Sequence, residues 1–253
     1  MANLPFLSLC KHSPMKYILK LLLITLFPIF SFGQAPSHSQ WNSLLQACVS
    51  PNGQVNYKAF KSRQSELDSY LKTLSGAVPS GNWTKNEKMA YWINAYNAYT
   101  IKLILNHYPI KSIMDIEKDG VSPWDQKFIK MHGKSYTLNE IEHTILRKQF
   151  SEPRIHFAVN CASQSCPALM NKAYTAKNLS SELEKSTRKF INNSEHNKIS
   201  SNSVKVSKIF EWFKEDFTKN GTLIDFLAKY ADTKIDDNAT ISYLEYDWSL
   251  NGF

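Results

Sequence analysis

Residues 84–99 read Thr84-Lys85-Asn86-Glu87-Lys88-Met89-Ala90-Tyr91-Trp92-Ile93-Asn94-Ala95-Tyr96-Asn97-Ala98-Tyr99. Thr84 and Glu87 form a capping box, in which the threonine oxygen takes the third helical amide and the glutamate reaches back to the threonine amide. Met89, Trp92, Ile93, Tyr96, Tyr99, Leu103 and His107 then recur at spacings of three and four, and Pro109 lies just past the end. The stretch predicts a long helix. Segments 40–48, 57–74, 138–149, 179–192, 209–217 and 222–230 also read as helical, the third behind a second capping pair, Thr137 and Glu140. Strands are fewer. A hairpin is predicted over 128–136, turning at His132-Gly133, and short strands over 155–160, 204–206 and 240–246. The balance predicts a helix-rich α+β single domain with a small, mainly antiparallel sheet.

The chain has 253 residues, which suits one domain with extensions. Its start reads as a secretory leader: Lys16 and Lys20, an apolar run over 21–32, then small residues before a cut near Gln34. That run is short of the roughly 20 residues a membrane span needs. Met15 alone begins a leader of ordinary shape. The expected layout is a signal peptide at 1–33, a mature N-terminal extension at 34–53 and a domain at 54–253. The expected destination is the periplasm, the outer membrane or the medium, with no stable membrane insertion after cleavage. Loss of the leader takes three lysines from 30 basic side chains and none of the 22 acids, so the net charge falls from +8 to +5. The lysines are scattered, which argues against a nucleic-acid partner.

Three cysteines remain beyond the leader: Cys48, Cys161 and Cys166. Two of them close the run Ile155-His156-Phe157-Ala158-Val159-Asn160-Cys161-Ala162-Ser163-Gln164-Ser165-Cys166-Pro167. Pro167 is suited to the first position of a helix. Cys166 is therefore expected at a helix N-terminus, where a thiolate is stabilised. Three readings stand together: a Cys161–Cys166 disulfide, one nucleophilic thiol activated by His156 or His143, or a zinc site. No second cysteine pair or close histidine pair completes a zinc site, so neither metal nor cofactor is expected. Asn94 and Asn97 lie three apart on one helical face. Asparagine is a mediocre helix former, so each either fastens a neighbouring loop or serves the site.

The chain resembles the DUF547 family of uncharacterised domains. The resemblance rests on Ala90-Tyr91-Trp92-Ile93-Asn94-Ala95-Tyr96-Asn97-Ala98, on Ile141-Glu142-His143 and on the cysteine run. It extends through Ile209-Phe210-Glu211-Trp212-Phe213 with Asp216-Phe217, and ends at Tyr246-Asp247-Trp248-Ser249-Leu250-Asn251. The family name implies no activity. Members joined to glutaredoxin-like domains hint at thiol chemistry.

The residues are read as a candidate cysteine-dependent hydrolase or acyltransferase acting on an amide or thioester, with papain- or transglutaminase-like roles by analogy. Cys166 is the first choice of nucleophile and Cys161 the second. His156 or His143 is the base, and Glu142 orients it. Asn94, Asn97 and Trp92 are candidates to contact an unknown small-molecule or peptide ligand. The alternatives are a non-catalytic binding or structural module holding the disulfide, or a thiol–disulfide redox protein.

Overall fold

Helix α4 (Lys85–His107) is the spine of the fold. Both halves of its predicted cap are formed: the Glu87 amide donates to Thr84 Oγ1 at 3.2 Å, and the Thr84 amide to Glu87 Oε2 at 2.7 Å. Every residue from Met89 to Ile101 is buried. A helix apolar on nearly all sides belongs inside the core, and here three shorter helices cover it. They are α1 (Ser39–Cys48), α2 (Tyr57–Ser62) and α3 (Gln64–Gly76). Trp41 of α1 stacks on Tyr70 of α3, with ring centres 5.7 Å apart. Full burial of one large apolar side chain is worth about 2–3 kcal/mol. Helix α1 therefore belongs to the same core as α4. This description comes from a computed structural model that describes Met1 and residues 33–252. The leader reading lies outside the described residues. Among those described, no helix is long and apolar enough to cross a membrane.

The predicted hairpin is present as β1 (Ile129–Met131) and β2 (Lys134–Tyr136), paired antiparallel. Its turn residues His132 and Gly133 both have positive φ, 54° and 71°, as a tight hairpin turn requires. A second sheet joins β3 (Lys198–Ile199), β4 (Ser203–Val206) and β5 (Thr240–Tyr243). Strands β3 and β4 are antiparallel, but β4 and β5 run parallel. The helix-rich α+β class holds.

Three local expectations are corrected. Segment 155–160 is not a strand. Pro153–Phe157 is a 3₁₀ turn with Pro153 at its start, because its apolar side chains serve two cores. Ile155 points into the core around α4, and Phe157 into a second core with Phe190, Phe210 and Phe217. No helix follows Cys166: 167–170 is irregular, and the Pro167 carbonyl is captured by Asn160 Nδ2 at 2.8 Å. The helix behind Thr137 has its cap, with the Glu140 amide 2.9 Å from Thr137 Oγ1. Its middle, Glu140–Arg147, is wound as a π-helix, and α5 (Lys148–Phe150) follows. The rest are α6 (Leu179–Ile191), α7 (Ile209–Trp212), α8 (Lys214–Phe217) and α9 (Leu223–Tyr230).

Beyond β5 the chain runs as a strap across the cysteine loop. The Gln164 and Ser165 amides donate to the Ser249 and Asp247 carbonyls at 2.8 and 3.2 Å. On its other edge the Leu250 amide donates to Lys111 O at 2.8 Å. Gly252 lies so close to the Val55 carbonyl and the Tyr57 ring that no Cβ fits there.

Candidate active site

Asn97 and Asn160 shape the cysteine loop. Asn97, on α4, donates to Ala158 O at 2.9 Å and accepts the Asn160 amide at 2.8 Å. Asn160 Oδ1 accepts the Ala162 amide and Asn251 Nδ2, both at 3.0 Å. Asn251 in turn accepts the Tyr57 hydroxyl at 2.7 Å. Ala162, between the two cysteines, is held at φ 64°. A non-glycine residue in this region costs on the order of 1 kcal/mol and often stands beside a functional group.

The three described cysteines are all free, so the disulfide expectation is not met. Instead Cys166 Sγ accepts the Cys161 amide at 2.9 Å. Cys161 Sγ faces the Ser163 and Tyr246 hydroxyls at 3.2 and 3.3 Å. Cys161 is half-buried and Cys166 buried. The Cys166 thiol, supported by the Ser163 and Tyr246 hydroxyls, lowers the Cys161 thiol below its ordinary range against the effect of burial. Burial, then the hydrogen bond to Cys161, pushes the Cys166 thiol far up. The helix that was expected to lower the Cys166 thiol is absent, and the downward shift falls on Cys161 instead.

Glu142, on the π-helical segment, is buried and lines the same cleft as Cys161. Burial raises its carboxyl to about 7; the Tyr96 hydroxyl opposes the rise and the Cys161 charge adds to it. Glu142 Oε1 lies 3.9 Å from His156 Nδ1. His156 is only 2% exposed and stacks on Phe213 with ring centres 4.0 Å apart. Its Nε2 lies 2.8 Å from Asp216 Oδ2. Burial lowers the imidazole to about 4, against the pull of Asp216. Asp216 is held well below the carboxylate range despite its burial, because His156 and Arg147 both hydrogen-bond it. A carboxylate only accepts, so neutral His156 carries its proton on Nε2. Its Nδ1 lone pair is bare, and it has no hydrogen-bond partner. Arg147 Nε donates to Asp216 at 2.5 Å, and Arg147 Nη1 lies 3.1 Å from His143 Nδ1.

Cys161, Cys166, Glu142, His143 and His156 line one cleft of about 150 Å³, walled by Tyr96, Val159, Ile209 and Phe213. The size suits a reacting group rather than a whole ligand. Trp124, Trp212, Trp248 and Tyr246 form its aromatic rim. Trp212 stacks on Trp248 at 5.8 Å and remains 45% exposed.

Cys161, Cys166, Glu142, His143 and His156 are thus brought together. Asn94, Asn97 and Trp92 are not in the cleft. Asn94 spends its amide on Tyr174, donating to its carbonyl at 2.7 Å and accepting its N–H at 3.1 Å. Trp92 packs edge-on against Tyr91 and Tyr136. No histidine nitrogen hydrogen-bonds either cysteine sulfur of this loop among the described residues. Nor is any group of three or more His, Cys, Asp or Glu placed there to hold a metal ion. Sequence reasoning did not single out Asp216, Arg147, Tyr246, Tyr96 or Ser163. Asp216 and Tyr246 stand in motifs that carried the resemblance, but nothing in the linear spacing ties them to Cys161.

No curated protein and no solved structure gives a match to the chain. Residues 80–191, the segment that carries the spine helix, Glu142, His156 and both loop cysteines, match the family model described as "Protein of unknown function, DUF547", which supports the resemblance to that family.

Proposed function

We propose that the protein is a cysteine-dependent hydrolase or acyltransferase, with Cys161 as the nucleophile. One observation carries the reading: a half-buried sulfur, supported by Cys166, Ser163 and Tyr246, shares a small cleft with a buried carboxyl that titrates near neutrality. The Cys161 thiolate attacks an acyl carbon, and Glu142 in its acid form protonates the leaving group. Glu142 as carboxylate then deprotonates the water or amine that resolves the thioester. The Tyr246 hydroxyl, 3.3 Å from Cys161 Sγ and lining the cleft, is the proposed donor to the developing oxyanion. His156, fixed by Asp216 and Arg147, orders the Glu142 side of the cleft. Cys166 supports the nucleophile.

The test is alkylation with iodoacetamide without prior reductant, read residue by residue by mass spectrometry, on the parent and on Cys161→Ser and Cys166→Ser. Cys161 is expected to react first, at a rate above that of free thiol at pH 6. Cys166→Ser is expected to slow Cys161, because the supporting thiol is lost. Alkylation at Cys166 alone, or at neither, would sink the proposal.

A second reading, thiol–disulfide exchange, draws support from two free cysteines in one short loop, with the Cys166 thiol supporting that of Cys161. A reduction potential near that of the compartment would favour it. Export rests on the leader-like residues 16–33, and N-terminal sequencing of the mature chain after cell fractionation tests it.

A further inference from the structure

The cleft carries one unpartnered buried acceptor, His156 Nδ1, beside the Glu142 carboxyl, which takes the Tyr96 hydroxyl. His156 Nδ1 is buried with no partner, and its other nitrogen is committed to Asp216. Glu142 Oε1 stands 3.9 Å away, too far to bond it directly. Most buried polar atoms in folded proteins are hydrogen-bonded, and one left bare inside a cleft asks for a partner from outside. Both groups border the cleft that contains Cys161, and the walls between them are apolar.

We infer that this pair is the recognition site for the nitrogen of a primary carboxamide, whose two N–H groups match the two acceptors and whose carbonyl carbon faces Cys161. The inference rests on the proposed thiol chemistry and narrows its substrate class from amides and thioesters to primary amides. An ester or thioester offers no N–H and would leave His156 Nδ1 bare. Sites built to bond a substrate N–H or O–H reject analogues without it by large factors. The narrow cleft fits a small leaving group.

The chemistry balances. Cys161 sulfur bonds to the acyl carbon and the carbonyl electrons move to oxygen. The C–N bond breaks as the Glu142 acid gives its proton to nitrogen, and ammonia leaves. The Glu142 carboxylate takes a proton from water, hydroxide adds to the thioester, and the sulfur leaves with its electrons. The sum is amide plus water giving carboxylic acid plus ammonia. An amine in place of water gives a substituted amide.

The test uses two alkylating reagents of nearly equal shape, iodoacetamide and iodoacetone, which differ by NH₂ against CH₃. Each labelling rate at Cys161 is divided by the rate of the same reagent with glutathione. Iodoacetamide is expected to be favoured by at least about tenfold, a part of the discrimination such sites reach. The preference is expected to vanish in Glu142→Leu, which removes one acceptor at similar volume. Circular dichroism checks that this variant is folded, and the parent alone already decides the main point. Equal normalised rates in the parent overturn the inference while leaving Cys161 as a reactive thiol. A preference that survives in folded Glu142→Leu overturns the assignment to this pair. Absence of any label on Cys161 overturns both the inference and the reading beneath it.

Discussion

Glu142 and His156 are buried side by side and titrate in opposite senses. The folded carboxyl keeps its proton to about 7, whereas an unfolded one loses it near 4.5. Between those values the folded state binds more protons, so this group's contribution to stability is lost as pH rises. Folded His156 stays neutral down to about 4, against 6.5 when unfolded. There the unfolded state binds more protons, so its contribution is lost as pH falls. A tenfold change in proton affinity between the folded and unfolded states is worth about 1.4 kcal/mol, and over pH 4.5–6.5 the two slopes offset each other. Glu142→Gln removes one of them. Urea melts are expected to show the variant gaining about 3 kcal/mol relative to the parent between pH 4.5 and 7. A constant difference between the two proteins across that range would show that Glu142 has an ordinary pKa. The same groups shape reactivity. The proposed chemistry needs Cys161 ionised and Glu142 protonated, so turnover is expected to fall above about pH 7.

At the scale of elements, two asparagines one turn apart on α4 have separable jobs. Asn97 fastens the backbone at Ala158 and Asn160, just before Cys161. Asn94 fastens the backbone at Tyr174. Each Ala variant leaves a buried N–H and a carbonyl unpaired, so each is expected to cost about 3 kcal/mol in denaturant melts. Only Asn97→Ala is expected to change the alkylation rate of Cys161 as well. Equal effects on that rate would show that the loop is held by other means. Both roles were half-legible: asparagine inside an aromatic helix signals a buried partner, but the partner lies in a loop whose path the local sequence does not specify. The 3₁₀ turn at Pro153–Phe157 was hidden for a related reason. A short apolar run looks the same whether it is a strand between two layers or a turn feeding two cores. The π winding at Glu140–Arg147 leaves no mark in the spacing, since the capping pair and the apolar positions suit an α-helix equally well. π turns often occur at functional sites, and this one carries Glu142, His143 and Arg147.

Over the whole molecule, helices and hairpin were legible because each is decided within about twenty residues by caps, period and turn chemistry. The candidate site was legible only in its cysteines, its histidines and Glu142. Its other groups arrive from far along the chain: Tyr96 from the spine, Arg147 from the π segment, Asp216 from α8 and Tyr246 from the strap. The longest side-chain tie is the bond from Tyr57 to Asn251, across 194 positions. Tyr57→Phe deletes that hydroxyl and leaves Asn251 Oδ1 without its donor. The expected loss is about 1–2 kcal/mol of stability, with slower alkylation of Cys161 as the strap loosens. Unchanged melting and unchanged labelling would show that the strap is held by its backbone bonds alone.

The strap also sets a clock. Ribosomes make about 5–20 residues per second, so several seconds separate the synthesis of Cys161 from that of Tyr246 and the extended segment behind it. During that interval the thiol lacks one of the hydroxyls that lower its pKa, and the loop lacks the amide bonds that fix its shape. A nascent chain would therefore carry a Cys161 that lacks its Tyr246 support, and the full set of groups around the sulfur would assemble only after the strap has closed over it.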